Sequence, residues 1–130
     1  MDNFEKINYW TELSEYDLLT AEAMLETKRY LYVGFMCHQS IEKLLKAVFV
    51  KIHNKIPPFT HSLIDLAKQA LIYEDFDAAQ KDFLDYLQPL NVQARYPTDK
   101  ERIFLYLNLE TCSEIINKTK ELSIWIKTRL

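Results

Sequence analysis

Apolar residues recur every three to four positions along most of this chain, a spacing that places them on one face of an α-helix. The first series runs from Asn3 to about Thr27, and the second runs from about Tyr30 to Asn54. Pro57 and Pro58 follow the second series, and proline ends a helix because it lacks a backbone N–H. The pattern therefore predicts two long helices joined by a short connection.

The second predicted helix has apolar residues on more than one face, which indicates burial between several neighbours. Its most apolar part runs from Phe35 to Phe49, FMCHQSIEKLLKAVF. A narrow polar line interrupts this part, and its members lie three or four residues apart on one side of the helix. These residues are Gln39, Glu42, Lys43 and Lys46. We call them the polar seam and expect them to have partners on neighbouring helices.

Shorter elements are predicted after the prolines. Ser62 with Asp65 resembles a capping box that opens a short third helix. An acidic run marks the start of a fourth helix, which Pro89 should kink or divide. Thr98 and Glu101 form a second capping box, which predicts one helix from there almost to residue 130. The predicted fold is all-α: residues 1–130 form a single domain, an up-and-down four-helix bundle with a short accessory helix.

Composition narrows the classes of function. The chain is 48% hydrophobic and 27% charged, which is ordinary for a globular protein. Its single glycine, Gly34, excludes glycine-rich phosphate loops and predicts a close backbone approach at a helix or subunit crossing. The net charge of −3 argues against a global electrostatic grip on nucleic acid. The basic residues near residue 130 are best interpreted as a solvated helix face, with an RNA surface as the alternative. They are Lys118, Lys120, Lys127 and Arg129.

Two cysteines, Cys37 and Cys112, fall on predicted buried helix faces without metal-ligand spacing. We interpret them as small apolar residues of a protein in a reducing compartment. Neither a signal peptide nor an apolar run of membrane-spanning length is evident, so the expected location is the cytoplasm. We predict no membrane association, no bound metal and no cofactor. A metal held by His38 and Glu42, four residues apart, has only weak support from their spacing.

Asp17 lies inside the apolar stripe of the first helix, where an ionised carboxylate requires a partner. A bond to a lysine or a backbone donor is favoured, and a catalytic acid is the alternative. His61 and His53 are interpreted as structural or capping residues rather than ligands. Arg95 precedes a predicted helix N-terminus, where free N–H groups and the helix dipole favour an anion.

Inward polar side chains of an up-and-down bundle meet in its interior or at a cleft between subunits. The candidate ligand-binding set therefore combines Asp17, the polar seam and Arg95. One interpretation is a site for the phosphate of a nucleotide or RNA. The other is an ion-pair network in which Asp17 and Glu42 balance the nearby lysines and arginine and fix the packing of the helices. Residue types alone leave both open.

Several segments together resemble a HEPN domain (higher eukaryotes and prokaryotes nucleotide-binding domain), and the resemblance covers nearly the whole chain. They are SEYDLLTAEAML at 14–25, FMCHQSIEKLLKA at 35–47, PFTHSL at 58–63 and LNVQARYPTD at 90–99. The combination of HQSIEKLLKA with a downstream ARYP is the specific part of this match. The resemblance implies a helical homodimer that acts with a small nucleotidyltransferase-type protein, as a toxin–antitoxin or nucleotide-binding pair.

Many members of that family are metal-independent ribonucleases with an arginine followed four to six residues later by a histidine. Arg95 lacks such a histidine, since the chain continues as YPTDKER and has no histidine beyond it. RNA cleavage through the 2′-OH needs a group that exchanges a proton near neutral pH, and arginine does so poorly. The sequence therefore favours a binding module over an enzyme. The alternatives are an endoribonuclease using Arg95, Tyr96 and Asp99, and a purely structural partner-binding homodimer.

Overall fold

A computed structural model of the protein describes residues 1–91 and 106–130. The described part contains five α-helices, one short 3-10 turn at Tyr73–Asp75 and no β-strand. The helices are α1 (Asn3–Glu26), α2 (Tyr30–His53), α3 (Leu63–Gln69), α4 (Ala78–Leu87) and α5 (Leu109–Lys127). The predicted all-α helical bundle is confirmed.

The first two helices form a hairpin. Asp2 caps α1, because its side chain accepts a hydrogen bond of 2.8 Å from the Glu5 N–H. Lys28 takes a left-handed conformation, φ 60°, in the tight connection that follows α1. Asn54 closes α2 in the same region, φ 49°, which asparagine tolerates better than most residues. The boundaries predicted from the apolar spacing agree with these ends.

Helix α2 is the centre of the bundle. It packs along α1 in the most extensive helix pair of the described chain, and it also contacts α3, α4 and α5. Ile41, Leu44, Leu45 and Val48 are fully buried in the main hydrophobic cluster. Because several helices surround α2, it has no fully exposed side on which charged residues would ordinarily lie, as its multi-faced apolar pattern predicted.

Helix α3 begins at the predicted cap, and α4 begins in the acidic run that was predicted to mark its start. The Ser62 side chain accepts from the Asp65 N–H at the start of α3. At α4, Asp77 and Gln80 form a reciprocal capping box, with bonds of 2.8 and 2.9 Å. Helix α4 ends at Leu87, two residues before Pro89, so the predicted division at this proline is confirmed.

The prediction of one continuous helix from Thr98 to the end of the chain was wrong. Leu107 and Asn108 are not helical, and α5 begins at Leu109. The Asn108 side chain accepts a 2.9 Å hydrogen bond from the Thr111 N–H, which makes it the N-cap of α5. The apolar period continues through this break, so periodicity did not reveal it. Thr98 and Glu101 lie outside the described residues.

Gly34 lies where a close approach was predicted. A Cβ built at this position would lie 2.9 Å from Leu90 Cδ1, and Leu90 is itself buried. The missing side chain thus lets the residues after α4 lie directly against α2. None of the described helices combines the length and the apolar character that a membrane span requires.

Candidate functional site

The polar seam lies on α2 and is bonded by neighbouring elements on both sides. Its four residues receive partners from α1, from the turn between α2 and α3, and from the residues that follow α4. Glu42 and Lys46 are buried, and Gln39 and Lys43 are partly buried. Each of these contacts joins parts of the chain that are distant in sequence. The expectation that the polar line has partners is confirmed.

The first partner is Asp17 of α1, which forms an ion pair with Lys43. The Asp17 side chain is 7% exposed and that of Lys43 is 22% exposed, so this pair lies just beneath the surface. The interpretation of Asp17 as a carboxylate bonded to a lysine is confirmed. This contact also fixes α1 against α2, together with the buried hydroxyl pair Ser14 and Ser40.

The second group of contacts surrounds Glu42, whose side chain is only 4% exposed. Its Oε2 accepts from Lys46 Nζ at 3.3 Å, and its Oε1 lies 2.8 Å from Nδ1 of His61. Lys46 also lies over the Trp10 ring of α1, 5.4 Å from the ring centroid, where the aromatic face attracts a cation. We call Glu42, Lys46, His61 and Trp10 the Glu42 cluster.

His61 is held in place through its backbone. Gln88, just after α4, donates from Nε2 to the His61 carbonyl at 3.0 Å and accepts from the Leu63 N–H at 2.6 Å. The prolines at 57 and 58 end α2, and the Ser62 cap starts α3 immediately after the histidine. The turn therefore returns His61 to the α2 helix it has just left, nineteen residues from Glu42 in sequence.

His61 has a bonding partner in the polar seam, which the sequence interpretation did not connect to it, and the choice between a structural and a ligand-binding histidine stays a prediction. The signal was present in the segment PFTHSL, where a histidine lies between two prolines and a helix cap. Such a turn fixes the direction in which the chain returns, yet it does not identify the residue that the side chain meets. That residue is Glu42.

Gln39 extends the seam toward the end of α4. Its Nε2 donates to Oδ1 of Asn91 at 3.2 Å, and Asn91 is 5% exposed. Leu90, the neighbour of Asn91 in sequence, lies against Gly34 of the same helix. Residues 90 and 91 are thus fixed against α2 by one apolar and one polar contact. The predicted site residues Arg95, Tyr96 and Asp99 lie outside the described residues and stay predictions.

The charges of the polar seam and of Asp17 together balance one to one. Asp17 is matched by Lys43, and Glu42 is matched by Lys46. His61 is the additional titratable group, and its side chain is 52% exposed. Asp17, the polar seam and His61 are thus neutral together when His61 is neutral, and they carry one surplus positive charge when its ring is protonated.

The remaining reactive groups are structural in character. Burial raises the pKa of the Cys37 thiol to about 12 and that of Cys112 to about 11. These thiols stay protonated at neutral pH, which makes them poor nucleophiles and poor metal ligands. The weak metal hypothesis for His38 gains nothing from Glu42, since both of its oxygens bond Lys46 and His61. Among the described residues no three His, Cys, Asp or Glu side chains are placed to hold a metal ion.

The basic residues near the end of the chain are each paired with a carboxylate. The pairs are Lys118 with Glu114, Lys120 with Glu22, Lys127 with Glu15, and Arg129 with Asp75. Three of these pairs join α5 or its end to other parts of the bundle. Each positive charge has a carboxylate nearby, and the interpretation of these residues as a solvated helix face stays a prediction.

A separate groove lies between α4 and α5 and has a volume of about 760 Å³. Its aromatic residues include Tyr86 and Tyr106, whose rings are 6.1 Å apart. Burial and the neighbouring Tyr106 raise the pKa of Tyr86 above its ordinary value. Its carboxylates are Asp77, Asp82, Glu114 and Glu121, and Lys118 is the basic residue among the described lining. The described lining of the groove thus carries a surplus of negative charge.

The fold and the seam define a class: a small helical bundle whose central helix carries buried charges linked to a histidine in a proline-flanked turn. The HEPN domain model matches residues 7–129, and the chain belongs to the HEPN domain family.

The crystal structure of TT1696 from Thermus thermophilus is similar to this protein, with a TM-score of 0.82. The similarity covers 96% of this chain and 98% of that one, at 18% sequence identity. It supports the shared fold. No curated protein matches the chain.

Proposed function

We propose that this HEPN protein is a binding module for the phosphate of a nucleotide or nucleic acid. The phosphate binds at the polar seam, where Lys43 and Lys46 act with Arg95. Gln39, Asp17 and Glu42 hold these groups in position. The protein works as a homodimer with a nucleotidyltransferase-type partner, in a toxin–antitoxin-like pair. Membership of the HEPN family supports this setting.

The observation that carries the proposal is the burial of charged residues on the central helix. Asp17, Glu42 and Lys46 are each less than a tenth exposed. Buried ion pairs contribute little net stability compared with apolar residues of the same volume. Buried charged groups are, however, enriched at functional sites, where they can bind a charged ligand.

Lys43 is the lysine best placed to reach such a ligand. Its side chain is 22% exposed, whereas its partner Asp17 is almost fully buried. A lysine ammonium has three N–H donors on a flexible stem, so Lys43 can keep its bond to Asp17 and donate a second hydrogen bond to a phosphate at the surface.

One observation favours a second candidate, a purely structural role. Both seam lysines already have a carboxylate partner, as an ion-pair network that fixes helix packing requires. In this case the seam binds no anion, and the protein acts through its surface on a partner chain. The two candidates differ in whether a nucleotide binds at all.

Calorimetry separates them. We expect ATP, GTP or a short RNA to bind the wild-type protein, and we expect Lys43→Gln to weaken that binding by about tenfold through loss of one charge-assisted contact. Lys120→Gln is the matched control, because Lys120 also pairs with a carboxylate of α1 but lies away from the seam. Equal binding by both variants contradicts the proposal, and no binding by the wild-type protein supports the structural role.

The ribonuclease alternative is tested on the same samples. Wild-type protein and Arg95→Ala are incubated with RNA in the presence of a chelator. A binding module leaves the RNA intact in both samples. Cleavage that disappears in Arg95→Ala identifies an endoribonuclease instead, with Tyr96 and Asp99 as the next residues to substitute.

A further inference from the structure

The Glu42 cluster contains a histidine that no sequence motif assigned to the site. Glu42 is nearly fully buried, yet His61, which it bonds, is about half exposed. We infer that His61 is the side chain through which the cluster contacts the ligand phosphate, and that Glu42 is its positioning residue. This inference rests on the proposed function and adds a specific contact to it.

The geometry determines which atom of His61 is available. An ionised carboxylate only accepts hydrogen bonds, so at 2.8 Å from Glu42 Oε1 the Nδ1 atom carries the proton. That bond fixes the ring and leaves Nε2 as the nitrogen that a ligand can meet. A histidine held in this way by a buried carboxylate keeps a fixed tautomer and orientation, which is the arrangement that binding and catalytic histidines use.

The charges explain why the contact suits an anion. Glu42 and Lys46 neutralise each other at 3.3 Å, and Asp17 and Lys43 form a second neutral pair. Protonated His61 therefore supplies the surplus positive charge of the described seam, and it does so at the exposed end of the cluster. A phosphate that meets Nε2–H accepts a charge-assisted hydrogen bond, which is shorter and stronger than a neutral one.

The contact should depend on pH in one direction. Histidine is the side chain that changes charge between about pH 5 and pH 8. Among the described residues, the charged group bonded to the ring is Glu42, whose other oxygen bonds Lys46, both from α2; Gln88, which holds the turn from beyond α4, is neutral. Anion binding should therefore strengthen as the pH falls.

The first experiment uses the wild-type protein with 13C-labelled histidine and sulfate, a phosphate mimic of constant charge. We expect the ring signals of His61 to shift on titration at about pH 6, while those of His53 stay unchanged. His53 is a suitable internal reference, since its Nε2 also bonds an acceptor, the Gln69 carbonyl at 2.7 Å, at a different helix end. Unchanged His61 signals in the presence of bound sulfate overturn the inference.

The second experiment measures affinity for ATP and for sulfate by calorimetry. His61→Gln should weaken binding of both ligands by about tenfold at pH 6 and remove the pH dependence of sulfate binding, and His53→Gln should do neither. Glu42→Gln keeps an oxygen acceptor for Nδ1 but lacks the charge, so it should retain a shallower pH profile. A merely structural role of Glu42 would change stability and leave the shape of that profile unaltered.

The outcomes separate the two proposals. Binding that is equal in wild type and His61→Gln, with the same pH profile, leaves the phosphate-binding function standing and overturns the role of His61. Binding of neither ATP, GTP, RNA nor sulfate to the folded wild-type protein overturns the proposed function and this inference with it. Circular dichroism of each variant verifies that a loss of binding is not a loss of folding.

Discussion

The polar seam and the α4–α5 groove are both rich in charged residues, but they differ in how those charges are held. At the seam, Glu42 and the neighbouring Asp17 of α1 are buried, and each has a lysine partner. In the groove, the carboxylates are exposed and outnumber the basic residues among the described lining. A buried charge requires a partner, whereas water solvates an exposed one. Charge count alone therefore does not distinguish the two regions, whereas the burial of the charges does.

The largest expected effect comes from removing the buried carboxylate of the seam. Glu42→Ala leaves Lys46 buried without its ion-pair partner, which costs about 3 kcal/mol of unfolding free energy. Urea denaturation followed by circular dichroism measures this loss. Glu42→Ala combined with Lys46→Met should recover most of it, because the unpaired charge is then absent. A single variant as stable as wild type would show that Glu42 is not buried as described.

The pair nearer the surface should be less sensitive. Asp17→Ala removes the partner of Lys43, but Lys43 is partly exposed and its flexible stem can carry the charge into water. We expect a loss of about 1 to 2 kcal/mol in the same urea experiment, smaller than that of Glu42→Ala. Asp17→Asn, which keeps an oxygen acceptor, is the milder companion. A loss larger than that of Glu42→Ala contradicts this ranking.

A third position connects the two regions, because residues 90 and 91 follow α4 of the groove and lie against α2 of the seam. Gly34→Ala places a methyl group 2.9 Å from Leu90 Cδ1, and overpacking of this kind outweighs the gain in helix propensity. We expect a net loss of about 1 kcal/mol. In a Leu90→Ala background the same change should become stabilising, by up to about 1 kcal/mol. Additive effects in this double-mutant cycle would exclude the contact.

The groove should give the smallest effects. Asp82→Ala and Glu121→Ala alter exposed carboxylates among like charges, so each should change the unfolding free energy by less than about 0.5 kcal/mol. Neither change should weaken ATP binding, and a small gain is expected from the reduced negative potential. Loss of ATP binding in these groove variants would indicate that ATP binds in the groove and not at the seam.

The sequence alone predicted much of the fold, and the reasons are local. Apolar spacing set α1 and α2 within a residue of their ends, the Ser62 cap located the start of α3, and the acidic run located the start of α4. The same reasoning missed the helix start after Asn108, because the apolar period runs through the break and the capping box at Thr98 predicted an earlier start. Periodicity reports which face is buried, and it is insensitive to an N-cap inside the series.

The candidate site was predicted in part. Asp17 and the seam were selected because charged residues on buried faces require partners. A lysine was one of the partners expected for Asp17, and the structure pairs it with Lys43. His61 was left out because its role depends on a contact across nineteen residues and a turn. The contribution of Arg95 to the seam stays a prediction, since that residue lies outside the described part of the chain.

The sequence by itself determined the class of fold, the central position of α2 and the presence of unusual buried charges, because the spacing of apolar residues indicates which faces of a helix are buried. Only the tertiary structure decided how those charges combine. It paired Asp17 with Lys43, returned His61 to Glu42, and separated this neutral cluster from the acidic groove. The physical reason is that hydrogen bonds and ion pairs act over a few ångströms, and distances of that size between remote residues exist only once the helices are packed.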